Sequence, residues 1–524
     1  MSTITQLICH NFGGIRQKNA VFSEELITAQ DLQNVELYYT GINNGVGLRT
    51  VKGNSSVNDE LEGEKHIIEI FESVQGGIKY FFVYAEDTTS GVLYKFNQLS
   101  EQLEVIKSGL SVTGNAQGLD IAQGWTDLFF FTNGAEMFTV EINSVTSDVT
   151  IVDMAPQDRE ERDVLGLGCA VFAGRLWIFN QNVLWYSVQE NIYDFSTADS
   201  EWETSAGYIE TLKNITAIHP YLGSLAVFFS DSSELISVDN GAFSQSEESP
   251  AGCAGVNALV FHDTNLYFYD NTKKAVFSFK QIINGQKTLG ENVAIDIQDI
   301  LLDIDEDNLD KIKATSVFLE GRNEIWWLLP TNDTYTVIED DEEVTKQAST
   351  VIIYDYLKGE WIKRKSQKIN CIKIYDNNLY SGAADGNVLI EYTSDTFNGD
   401  YIQHYYNFSP CNLGAMNTLK VFVFPPRVSF DFPYTNQFYV KYIKNYNNFK
   451  KPKIKFIKSK IKNYLYWDIG HWDVDYWIDK TTSIIGKFPN ATFKILEMSL
   501  YTTNSKESFA IKNIEFSKIK VKQI

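Results

Sequence analysis

Six histidines, five cysteines and 68 carboxylates are the raw material for chemistry in this 524-residue chain, and their spacing decides what they can do. His10, His66, His219, His262, His404 and His471 fall in six separate segments, with no HExxH and no His-x-His. A nucleophile–base pair or a metal cage needs convergent partners, so structural roles are expected for all six. Cys9, Cys169, Cys253, Cys371 and Cys411 are odd in number, widely scattered and never spaced CxxC. That pattern fits reduced, buried thiols made in a cytosol and argues against a zinc site or a disulfide framework. GxSxG, P-loop and GxGxxG motifs are absent. Asp303–Ala314 places acids at the first three odd positions of a calcium loop. It carries Asn308 where that loop needs Gly and Ala314 where it needs Glu, so an acidic surface turn is expected. Ser196–Trp202 (STADSEW) faintly resembles a sialidase Asp-box, but the required Gly is missing and there is no second copy. No pair of carboxylates is singled out for glycoside hydrolysis. The expectation is a chain without catalytic, cofactor-binding or metal-binding residues.

Two clusters could instead bind. The run KKPKIKFIKSKIK contributes Lys450, Lys451, Lys453, Lys455, Lys458, Lys460 and Lys462. In an extended strand Lys453 and Lys455 share one face, and Lys458, Lys460 and Lys462 share the other. Such a stripe can face phosphate or dock on an acidic surface, or it can be a solvated edge strand that lysines protect from aggregation. Trp467, Trp472 and Trp477 are five residues apart in YLYWDIGHWDVDYWID. Exposed Trp ladders stack on sugars or bases. Odd spacing in a strand puts neighbours on opposite faces, so packing within a domain or at a subunit interface is the preferred reading.

The charge is divided along the chain. Residues 401–524 hold 19 Lys and Arg against 8 Asp and Glu, whereas residues 1–400 hold 26 against 60. Parts of opposite sign suggest separate domains with different partners, and an acidic body repels nucleic acid. Met1–Asn11 has neither a cationic start nor an apolar run, so a secretory signal is not expected. No stretch reaches the roughly 18 apolar residues of a membrane helix.

The elements that must carry these residues repeat. A short apolar strand, a tight turn, a second apolar strand, another turn and a third strand recur most clearly in Cys169–Ser187, Val256–Phe279 and Cys371–Tyr392. Weaker copies are Ile78–Phe96, Asp127–Ile142, Ile215–Val238 and Thr315–Tyr354. The turns use Gly, Asn and Asp, which tolerate positive φ. Middle-strand markers Tyr80, Leu128, Leu176, Leu225, Leu266, Ile325 and Leu379 are 48, 48, 49, 41, 59 and 54 residues apart. A period of roughly 40–50 residues with three or four strands per unit predicts a β-propeller, here of six or seven blades over Lys52–Thr396. Ser23–Leu37 begins with a capping-type Ser followed by acids and predicts a short helix bracing the propeller from residues 1–51. Ile295–Ile312 reads as a helix or loop between blades. From Phe397 the Lys-, Asn- and Tyr-rich composition predicts a separate, basic β-sandwich-like domain over 397–524. The fold class is therefore all-β.

Several phrases resemble the tail nozzle and packaged-DNA stabilisation proteins of short-tailed bacteriophages. Asn11–Val51 is similar to their opening: Gly13-Gly14, a stretch ending in Asn34-Val35, then Gly45-Val46-Gly47-Leu48-Arg49. Gly174–Phe195 has their Arg-Leu-Trp … Val-x-Trp-Tyr-Ser … Asp-Phe order, with Asn180 and Asn182 in the turn. Ile215–Val238, Arg322–Leu328, Val351–Trp361 and the WDxGxWD-like Trp467–Asp473 continue the likeness. The Lys run lies outside the pattern. The resemblance implies a homo-hexameric ring in the virion tail, assembled in the host cytoplasm below the portal and adaptor. Such a ring extends the DNA channel and helps retain and release the genome without gripping it, and family members supply no catalytic residues. A host-glycan-binding module and a propeller glycosidase are the competing expectations.

Overall fold

The computed structural model describes residues 2–9, 12–15, 29–40, 46–58, 61, 64–97, 102–124, 126–197, 205–239, 242–246, 249–281, 287–319, 322–339, 342–409, 418–422, 427–430, 437–444, 453–458, 486–487, 492–493, 496–504 and 507–523. Contacts divide the chain into two compact units: residues 54–351 with 366–393, and residues 1–53 with 352–365 and 394–524.

Seven antiparallel sheets make the first unit a seven-bladed propeller. Their innermost strands are His66–Gln75, Gln117–Gln123, Gly168–Phe172, Ile215–Tyr221, Leu259–His262, Lys313–Leu319 and Ile369–Tyr375, here blades 1 to 7. Each is followed by an antiparallel second strand, and those second strands carry the seven markers Tyr80 to Leu379. All seven markers therefore belong to blades, which resolves the expectation of six or seven. The ring shuts by strand exchange. Blade 7 takes its fourth strand, Gly53–Ser56, from the N-terminal side of blade 1. Asn54, fully buried there, donates to Glu391 Oε1 at 3.0 Å and accepts from Gln367 Nε2 at 3.1 Å.

Burial on both faces explains why the second strands are continuous apolar runs. In Thr126–Thr132, Leu128 and Phe130 pack toward blade 3, whereas Phe129 and Phe131 pack toward blade 1. In Ile78–Glu86, Phe81, Val83 and Ala85 pack toward blade 7, and Phe82 and Tyr84 toward blade 2. Side chains alternate along a strand, so a blade stacked between two others buries every position. The Phe82 and Phe129 rings stack at 4.6 Å across the joint between blades 1 and 2. Between blades 5 and 6 the chain forms short helical turns at Ile295–Ile297, Gln298–Leu302 and Glu306–Lys311.

Among the described residues the second unit holds two sheets, and each mixes strands from both ends of the chain. One runs Val35–Tyr39, Val46–Thr50, Ala510–Gln523, Thr418–Phe422 and Thr492–Phe493, with Ser2–Cys9 and Arg427–Phe430 also paired to the long Ala510–Gln523. The other runs Ala29–Gln33, Tyr405–Phe408, Leu496–Tyr501, Gln437–Lys444 and Lys453–Lys458. The helix expected over Ser23–Leu37 is thus corrected where it is described. Residues 29–33 and 35–39 are strands, because pairing to Tyr405–Phe408 and Val46–Thr50 overrides local helix propensity. Between them Asn34 adopts φ 54° and is buried. Its amide donates to the Lys365 and Gln403 carbonyls at 3.0 Å each and accepts from Lys365 N at 2.8 Å. Among the described residues no helix is long and apolar enough to cross a membrane.

His404 is buried in this unit, within hydrogen-bond distance of Val51 O (3.2 Å, Nε2) and Thr502 Oγ1 (3.1 Å, Nδ1). Burial lowers its pKa to about 4, well under the ordinary imidazole value. As pH falls below about 6.5 the unfolded chain takes up this proton and the folded chain does not, so stability is lost from there down to about pH 4. The unit should lose about 2 kcal/mol between pH 7.5 and about pH 5, read by urea unfolding. His404→Gln should weaken the unit at neutral pH but flatten that slope, and an unchanged slope would contradict the assignment.

Candidate functional site: the axial well of the propeller

The seven inner strands end their sheets, so one edge of each lacks a ladder partner and faces the propeller axis. Unpaired backbone edges require water or ligand, which makes the axis polar whatever its side chains. All seven strands line a single cavity of about 560 Å³. At roughly 30 Å³ per water it holds on the order of twenty. Its walls are mostly small or aliphatic, with Ala116, Gly118, Ala170 and Ala314 on three different strands or their approaches.

One end of this cavity is bridged. Gln117, at the start of the blade 2 strand, donates from Nε2 to Val256 O and Asn257 Oδ1, both at 3.3 Å, on the approach to blade 5. Its Oε1 accepts from Cys169 N of blade 3 at 3.0 Å. Blades 2 and 5 are three apart, as far as two blades can be in a ring of seven, so this side chain spans the axis. Asn115 makes a second crossing, donating to Asp310 Oδ2 at 2.6 Å ahead of blade 6. Lys313 of blade 6 reaches Glu69 Oε2 and Ile68 O of blade 1, each at 2.6 Å. At the opposite end Asp120, Pro220 and Phe261 line the cavity and are exposed. The axis is a blind well with one open mouth.

A third polar set ties blade 5 to blade 6. His262 is buried, its Nδ1 lies 2.7 Å from Ser316 Oγ, and its Nε2 contacts Asn323 Oδ1. Burial lowers its pKa, which keeps the ring neutral. With Asn323 Oδ1 taking the Nε2 proton, Nδ1 is left to accept from the Ser316 hydroxyl. Serine, imidazole and amide stand in the order of nucleophile, base and orienting group. Spacings of 54 and 61 residues hide the set in the sequence.

Of the residues singled out in the sequence, Cys169, His219 and Ala314 line this well, and Asp310 takes the bond from Asn115 that crosses its floor. Lys453, Lys455 and Lys458 lie in the strand Lys453–Lys458, at the end of its sheet in the other unit. Lys450, Lys451, Lys460, Lys462, Trp467, Trp472 and Trp477 lie outside the described residues. Cys169, Cys253 and Cys371 are buried free thiols, and burial pushes the Cys253 thiol up to about 12. Asp303–Ala314 runs through a short helical turn in which Asp305 caps Asp307 N at 3.0 Å. Among the described residues no three His, Cys, Asp or Glu gather as a metal ion would require. Gln117, Asn257, Lys313 and Glu69 carry no sequence motif, because partners across a propeller axis are far apart in the chain.

No known family profile matches the chain, and no curated protein matches it. Solved structures do. A computationally designed protein, Ika8, is 13% identical, with a TM-score of 0.34, over 64% of this chain and 99% of its own. The WD40 domain of SCAP from fission yeast is 11% identical, with a TM-score of 0.31, over 70% and 96%. Hsv2 from Kluyveromyces lactis is 10% identical, with a TM-score of 0.28, over 55% and 82%. Likeness at this level carries nothing about function.

The Lys313–Glu69 pair is nearly enclosed, so removing one partner strands a buried charge. Lys313→Met should cost about 3 kcal/mol, and Lys313→Met with Glu69→Leu should recover most of that loss in urea unfolding. A double variant no more stable than the single would show that the pair is not what joins blade 6 to blade 1.

Proposed function

We propose that the chain is a non-enzymatic structural component of a bacteriophage tail, a ring-forming subunit that extends the DNA channel below portal and adaptor. One observation carries this reading: the residues of the resembling phrases occupy structural hubs in both units. Arg175 is fully buried and donates to the Ser187 and Ser205 carbonyls at 2.6 and 2.7 Å. The Trp177 indole donates to Phe172 O, and the Trp185 indole to Asp158 Oδ2, both at 3.0 Å. Asp194 accepts from Ser196 N and Thr197 N, and Phe195 is buried beside them. In the other unit Asn34 is the hub already described, and Gly14 N donates to Glu360 Oε2 at 2.9 Å. A motif made of such residues supports a shared scaffold and not a shared reaction. The blind well adds a constraint: a duplex cannot thread the propeller's own axis, so a channel for it must lie between copies. The 60 acids of residues 1–400 would then make a wall that repels phosphate wherever they face it. Negative-stain microscopy of the purified protein, alone and mixed with candidate portal and adaptor proteins, should show closed six-fold rings with an open centre. A monomer that never assembles under either condition would contradict the reading.

A second, hydrolytic reading is favoured by the Ser316–His262–Asn323 set, whose serine lines the well. It calls for covalent labelling by a fluorophosphonate that Ser316→Ala abolishes. Absence of labelling in the intact chain would leave the set as a clamp between blades.

A further inference from the structure

The open mouth of the well is divided into two arcs. On blades 3 to 6 Val171, Pro220 and Phe261 line it, with Phe261 39% exposed; Leu222 in the blade 4 turn and Phe318 near the end of the blade 6 inner strand are exposed close by, at 39% and 72%. The Phe261 ring packs 6.3 Å from Tyr221, which places it beside Pro220 and Leu222. Leu222 holds a left-handed backbone at φ 45°, a conformation that costs a bulky side chain about 1–2 kcal/mol. On blades 7, 1 and 2 the mouth instead gathers Asp376, Glu72, Asp120 and Asp127. Asp120 Oδ2 accepts from Val74 N at 2.9 Å and Asp127 Oδ2 from Gly76 N at 3.1 Å. Lys79 pairs with Glu72 at 2.9 Å, Lys373 lines the well, and Asp263 adds a carboxylate at the blade 5 turn, so acids outnumber lysines. The concavity is also elongated. Val171 belongs both to the well and to a side cavity of about 440 Å³ between blades 2 and 3, lined by Ile121, Ala122 and Ile192.

We propose that this mouth is a docking site for an extended segment of a partner protein in which lysine or arginine sits beside apolar side chains. Each feature matches one property of such a segment. The apolar arc takes its aliphatic or aromatic residues, because exposed Phe and Leu next to a cavity gain most by being covered. The acidic arc takes its cation. Desolvation at the lip of the well raises the Asp120 pKa, and the neighbouring charges of Glu72 and Asp127 raise it further, which is a negative potential that a lysine would relieve. The run from the well over Val171 into the side cavity fits a chain lying along the face, not a compact small molecule. A strained leucine in an exposed turn fits as well, since strain at a surface apolar residue is a mark of contact function. The proposal does not depend on the tail assignment.

The test uses the full chain and a fluorescein-labelled peptide of roughly twelve residues that alternates lysine with isoleucine and phenylalanine. Anisotropy should report saturable binding that fades as ionic strength rises to about 1 M, where charges are screened beyond about 3 Å. The same peptide with glutamate for lysine should not bind. Asp120→Asn, Phe261→Ser and Phe318→Ser should each weaken binding about fivefold or more. Leu222→Asn should weaken it too while making the protein more stable to urea, which separates lost contact from lost fold. Equal binding of the acidic peptide, no binding of either, or indifference to all four variants would overturn the proposal. Self-association of the chain abolished by the same variants would assign the mouth to a second copy and overturn the choice of occupant.

Discussion

Closure of the propeller by one four-residue strand is the constraint on which the rest of the structure depends. Gly53–Ser56 leaves the N-terminal side of the chain to complete blade 7, so the ring is shut by hydrogen bonds and not by the covalent chain. The buried Asn54–Glu391–Gln367 set fixes that strand, and Ser381 Oγ also donates to Glu391 at 2.5 Å. Without the closure, the alternate faces of blades 7 and 1, carrying Cys371, Tyr380, Ile67 and Phe81, would open to water together. The polar crossings at the floor of the well can form only because the closed ring brings distant blades to one axis.

A blind well shapes what the molecule can do. Bridging by Gln117 and Asn115 gives the floor a polar seal, with the Lys313–Glu69 pair beside it, while the mouth keeps two faces of opposite character. Such a shape suits holding the end or side of a peptide and does not suit passing a polymer. A conduit role is therefore a property of an assembly. The opposed charges of residues 1–400 and 401–524 offer copies or neighbours a long-range attraction that steers their encounter.

Much of the propeller was legible because each blade spells itself locally. Every marker from Tyr80 to Leu379 falls in a second strand, since adjacent antiparallel strands joined by tight turns leave a pattern within some twenty residues. The number of blades stayed open between six and seven in sequence, because the fourth strand of the last blade sits more than three hundred residues upstream. The strand Ala29–Gln33 reads as helix for a related reason, since its partner Tyr405–Phe408 is remote, whereas Val35–Tyr39 pairs locally with Val46–Thr50. The well was invisible for the same cause, since its polar residues pair across the axis over separations from 139 to 244 residues. His404 and His262 are buried and satisfied, but only the fold reveals that His262 stands between a serine and an amide.

The proposed tail role requires that DNA pass between copies and never along a propeller axis. A cryo-electron microscopy map of the assembled, DNA-filled tail addresses it directly. The account predicts continuous duplex density on the symmetry axis of the ring, with each propeller's well closed at its Gln117 floor. Duplex density running through the well of a single propeller would contradict it.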